Sequence, residues 1–149
     1  MKIMKMFLAI ILFLVSCKSE VVIDTNYILS SDEMKKEIGI FDAMKNDVTE
    51  NSDEEAITVF LTESSKEFEQ IKKFFSAIKT DNDDLKKAVE AQLKICEIFS
   101  EINQILLEKK SVVNALRKLY YSDMYYREFV DSMKAAKEKE SALELENEK

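Results

Sequence analysis

Between residues 53 and 79, apolar side chains recur at steps of three and four: Ile57, Phe60, Leu61, Phe68, Ile71, Phe75 and Ile78, with small Ser64 in the same row. At 100° per residue nearly all fall within about a third of the circumference, which predicts a helix with one dry side. The same rhythm predicts three more helices. One, about 30–48, carries Met34, Ile38, Phe41, Met44 and Val48 as its stripe. The next, about 83–108, carries Leu85, Ala88, Val89, Cys96, Phe99, Ile102 and Leu106, with Leu93, Ile98 and Ile105 outside the main row. Its apolar arc exceeds half the circle, so it is either the central helix or offers a second face to a partner. The last, about 112–137, runs Val113, Leu116, Leu119, Tyr120, Tyr126, Val130 and Met133.

The polar breaks carry their own signals. Ser30 with Glu33, and Ser52 with Glu55, have the capping-box form in which each side chain satisfies an orphan amide at a helix start. Asp81-Asn82-Asp83-Asp84 places acids at the positive end of the third helix, and without the glycine and distal glutamate of a calcium loop it reads as a solvated capping turn. Glu108-Lys109-Lys110-Ser111 contains no Gly or Pro. A turn is favoured there, since the lysines suit a helix C-terminus and one fused rod, the alternative, would leave its stripes uncovered. Gly39 weakens the first helix by about 1 kcal/mol relative to Ala. Four such helices bury their stripes by packing side by side, an all-α fold: a small antiparallel bundle over residues 30–138, then a charged tail at 139–149. The heptad-like spacing of the second and third helices keeps a coiled-coil homodimer open as the alternative.

Ahead of this domain, Lys2 and Lys5 precede the apolar run Met6 to Val15, the n-region and h-region of a secretory signal. At about 1.5 Å per residue the run reaches only roughly half of a ~30 Å hydrocarbon core, which disfavours a permanent span. Leu14-Val15-Ser16-Cys17 then resembles the lipobox of bacterial lipoproteins. The resemblance implies that the Cys17 thiol is alkylated with diacylglycerol, that cleavage falls just before Cys17, and that the new amine is acylated. Residues 1–16 are then a lipoprotein signal peptide, and residues 17–29, with the β-leaning Val21-Val22-Ile23, are lipidated cysteine and tether. A plain thiol beside a non-lipidated signal, or an uncleaved anchor, is the other reading. Each buried methylene contributes about 0.8 kcal/mol, so two or three chains hold a domain on a membrane where one would not.

Composition narrows the chemistry. The formal net charge is −7, and loss of Lys2 and Lys5 leaves 20 basic against 29 acidic side chains, a net charge near −9. Acids spread through every segment argue against nucleic acid and against a polybasic membrane-docking face. There is no His, Trp or Pro and one Gly. That excludes His-activated nucleophiles, imidazole metal sites and phosphate-cradling glycine loops. The expectation is a non-enzyme with no metal and no cofactor beyond the lipid on Cys17. With Cys17 taken by lipid, Cys96 has no internal disulfide partner and reads as a small buried hydrophobe. Glu67, Glu69, Glu90 and Glu97 read as solvated faces.

Leu119 to Arg127 holds four of the five tyrosines, between the only two arginines, Arg117 and Arg127. Tyr120 and Tyr126 flank the dry stripe and are expected in the core; Tyr121 and Tyr125, four apart and near Arg117, are expected to face water. Tyr and Arg are enriched in binding hot spots, so Arg117, Tyr121 and Tyr125 form the candidate binding surface. Asp123 projects near the centre of the expected stripe, where a carboxylate needs a partner; Arg127, four residues on, supplies one. With its lipobox, brief tether and Lys/Glu/Ile/Asn-rich helical domain, the chain resembles the small plasmid- or prophage-encoded surface lipoproteins of Lyme-group spirochaetes. That resemblance implies lipid anchoring in the outer membrane, display on the cell surface, and binding of host matrix or complement components or immune evasion. The short tether keeps a periplasm-facing structural or prophage-accessory lipoprotein as the alternative.

Overall fold

The computed structural model describes residues 22–46, 54–109 and 112–147. Among the described residues the helices are α1 (Thr25–Leu29), α2 (Asp32–Asn46), α3 (Glu54–Ala77), α4 (Asp83–Leu107) and α5 (Val112–Asn147). The fold is an all-α bundle with no strand among the described residues. Among the described residues no helix is long and apolar enough to cross a membrane. The signal, the lipobox, Val48 and Ser52 lie outside the described residues.

Part of the expected tether is folded. Asp24 caps α1 by accepting the Tyr27 amide at 2.6 Å, and Ile28 is fully buried. A five-residue helix is too short to show a periodic stripe, so α1 left no trace in the hydrophobic pattern. Its C-terminal turn occupies Ser30, whose N–H donates to Asn26. The cap of α2 therefore shifts by one residue: the Met34 amide donates to Ser31 Oγ at 3.2 Å. The buried face of α2 is rotated as well, holding Met34, Glu37 and Ile40, while Ile38 is exposed.

α3 follows its expected stripe, with Leu61, Ser64, Phe68, Ile71 and Phe75 buried. α4 is the central helix, with α3 packed on one side and α5 on the other. Its broad apolar arc is used by these two neighbours, and Asn82 caps its start by accepting the Asp84 and Leu85 amides. Successive long helices are antiparallel. Asn103 of α4 meets Ser64 of α3 while Glu97 meets Lys72, and Asp84 meets Lys139 of α5 while Glu101 meets Lys118. α4 ends in a turn: Lys109 takes φ 52°, and its N–H donates to Leu106 O at 3.0 Å, as in a Schellman end, while Lys110 and Ser111 lie outside the described residues.

α5 departs most from expectation. Val113, Leu119, Tyr120 and Val130 of its expected stripe are exposed. The face turned to the core holds Ala115, Ser122, Phe129, Ser132, Met133 and Ala136. Ala115, Ser122, Phe129 and Ala136 repeat at seven, the spacing that keeps one seam on a neighbouring helix. Small side chains along that seam let two backbones approach, and α4–α5 is the most extensive helix contact described in the fold. Four helices meet at one aromatic cluster, where Phe41 of α2 lies 4.9 Å from Phe99 of α4, 6.2 Å from Phe68 of α3 and 6.3 Å from Tyr126 of α5.

Candidate functional site

Arg117, Tyr121 and Tyr125 follow one another at four-residue steps along α5, so a single strip of that helix presents them. Arg117 is exposed and Tyr121 is 50% exposed, its ring set edge-on to Tyr120 at 6.3 Å. Tyr125 is half-buried against the core rather than fully in water. It borders a shallow depression between α4 and α5 with Glu90, Leu93, Lys94, Glu97 and Glu128.

Charge in this depression is locally balanced on one side. Lys94 Nζ donates to Glu97 Oε2 at 2.9 Å, and Lys72 of α3 lies 3.6 Å from the other oxygen. The Lys94 hydrogen bond holds the Glu97 carboxyl below its ordinary range, and Glu97 in turn raises the Lys94 ammonium. Glu90 and Glu128 add further acid at the rim. An aromatic ring beside carboxylates and lysines can make apolar and hydrogen-bonding contacts with a macromolecular surface. It offers no activated nucleophile.

Two neighbouring expectations need correction. Tyr120, expected in the core, is 72% exposed, and Tyr126 is 40% exposed although its ring packs on Phe41. Asp123 does pair with Arg127, at 2.8 Å, but both side chains are largely exposed. Both discrepancies follow from the rotation of α5 onto its small-residue seam, which carries Asp123 and Tyr120 away from the core.

The polar groups that are buried lie elsewhere. Glu37 is 1% exposed, and the Gln92 amide nitrogen donates to its Oε2. Burial pushes the Glu37 carboxyl up to about 7, opposed in part by that hydrogen bond. Cys96 sits beside them, its Sγ 4.0 Å from Gln92 Nε2, and its thiol is pushed up to about 12 by burial first and then by Glu37. A thiol so disfavoured as thiolate is a poor nucleophile, in keeping with a packing role. Asn103 bridges α4 to α3, donating to Ser64 Oγ at 2.9 Å and Ser65 Oγ at 3.1 Å. Hydropathy passes over these positions, yet one signal for Glu37 was present: projected at 100° per residue, it falls between Met34, Ile40 and Phe41.

The chain matches no family model, no curated protein and no solved structure.

Proposed function

We propose that this chain is a bacterial lipoprotein anchored in the outer membrane through Cys17, acting without catalysis as a binding or immune-evasion protein toward a host matrix or complement component. One observation carries the reading: Leu14-Val15-Ser16-Cys17 closes a ten-residue apolar run, Met6 to Val15, that two lysines precede. The helical domain gives the anchor something rigid to hold. Its described fold starts within a few residues of Cys17, and from Cys17 to Thr25 the chain can span at most roughly 28 Å. Tyr121 lies 19 residues before Glu140 on α5, roughly 28 Å along that helix from the end where Thr25 is held. The strip Arg117, Tyr121 and Tyr125 is the surface assigned to the host ligand.

The docking of α1 also favours a second reading. It shortens the free tether, which suits a lipoprotein facing the periplasm as a structural or prophage-accessory protein. Proteolysis of intact cells separates the two: release of the helical domain by added protease supports surface display, and its survival until the outer membrane is broken supports the periplasmic alternative. Ligand binding is tested by capture from serum and matrix extracts. The Tyr121→Ala, Arg117→Ala double substitution should lose at least tenfold in affinity with an unchanged melting temperature; full retention of capture would remove this strip from the account.

A further inference from the structure

The Glu37–Gln92 pair is short of one hydrogen. Gln92 Nε2 donates to Glu37 Oε2, but Glu37 Oε1 and Gln92 Oε1 are both buried with no hydrogen-bond partner. An ionised carboxylate only accepts, and an amide oxygen only accepts, so nothing in the ionised pair can serve both orphan oxygens. A proton on Glu37 Oε1 supplies the missing donor. The side chains can then form a closed acid–amide pair with two hydrogen bonds and no net charge.

The surroundings favour the neutral form. Among the described residues no cation pairs with Glu37. From α4 it meets Gln92 and Cys96, and from α5 the Tyr126 phenol, itself raised by burial and then by Glu37. From α3, Lys72 and Glu69 act on the neighbouring Cys96 with opposite signs. Gln92 itself is fully buried, so water does not reach the pair through that side chain.

We propose that Glu37 and Gln92 form a proton-gated latch between α2 and α4, closed when Glu37 is neutral and weakened when it ionises. This inference stands apart from the anchoring of Cys17 and holds whether or not that residue carries lipid. Ionisation leaves a charge and two unmatched acceptors in the core, and the simplest relief is for α2 to move away from α4. Cys96, packed against the latch, then becomes reachable. Sensitivity to pH near neutrality therefore belongs to the core of this bundle, and α2 is the element that responds.

The test uses the full chain in detergent with Cys17→Ser, so that Cys96 is the sole thiol, alongside the same chain carrying Glu37→Gln. Between pH 5 and pH 8 the folding constant of the parent should fall roughly a hundredfold. Cys96 labelling, corrected for thiol ionisation, should rise over the same interval. The Glu37→Gln chain, whose amide can replace the neutral acid, should show neither change. A second measurement is independent of the variant: the carboxyl carbon of Glu37, followed by NMR in the parent, should titrate near neutrality. Titration in the ordinary carboxylate range, or a Glu37→Gln chain with the parent's pH slope, would overturn the latch.

Discussion

Thr25 and Glu140, 115 residues apart in sequence, are joined by a carboxylate that accepts from the Thr25 amide at 3.0 Å and from its hydroxyl at 2.7 Å. The carboxylate thus satisfies a donor at the buried start of α1, where a helix has no partner of its own. Beside it, Lys139 pairs with Asp84 at 2.5 Å and fastens the same part of α5 to the start of α4. The segment expected as a charged tail therefore contributes to holding the N-terminal end of the fold.

Glu140→Ala should lower stability by about 1.5–3 kcal/mol, the range for hydrogen bonds to a charged group. The loss should be local first. Hydrogen exchange of the Thr25–Leu29 amides should accelerate while the α3–α4 amides stay protected; uniform acceleration would show that α1 is not held by this contact.

The pH dependence has a definite sign. Glu37 is raised from 4.5 to about 7 in the folded chain, so above its unfolded value the unfolded state releases a proton that the native state keeps. Its contribution is full at low pH and is lost as pH climbs through 4.5 to 7, by about 3 kcal/mol in all. Glu54, Asp84 and Glu97 are shifted down by Lys109, Lys139 and Lys94, so their smaller, solvent-screened contributions disappear in the opposite direction, as pH falls. Urea midpoints measured across pH should peak near pH 5; a maximum at pH 7 or above contradicts this assignment.

Substitutions along α5 distinguish its two faces. Ala136→Leu forces extra volume into the α4–α5 seam and should cost about 1–3 kcal/mol. Tyr120→Ala, on an exposed position, should change stability by less than about 0.5 kcal/mol. Equal losses from the two would restore the stripe read from hydropathy.

Two backbone positions offer stabilisation. A Cβ at Gly39 meets no atom within 4 Å, so Gly39→Ala should add about 0.5–1 kcal/mol by lowering the entropy of the unfolded chain. Lys109 holds a left-handed conformation that costs a side-chain-bearing residue about 1 kcal/mol. Lys109→Gly should recover most of that, less its exposed ion pair with Glu54. Denaturant midpoints that fall in both variants would contradict these backbone assignments.

Which parts of this molecule were legible in its sequence follows from what hydropathy measures. α3 and α4 bury large aliphatic and aromatic residues, so their faces and the turns between them could be read directly. α5 turns Ala115, Ser122, Ser132 and Ala136 inward. A hydropathy stripe ranks such small residues below Leu, Tyr and Val, and it placed the dry face to one side of the observed one, with Met133 common to both. That error carried Tyr120 and Asp123 with it, whereas the exposure of Arg117 and Tyr121 was anticipated. Glu37, Gln92 and Asn103 escaped because an apolar pattern skips polar side chains even at core positions. The lipobox is legible only as sequence, since residues 1–21 lie outside the described structure.

The measurement closest to the central claim is the intact mass of the protein purified from its native membrane. Anchoring through Cys17 predicts a chain starting at that residue and heavier than its amino acids by a diacylglycerol and an amide-linked acyl group. A mass that retains Met1 to Ser16, or an unmodified Cys17 thiol, would contradict it.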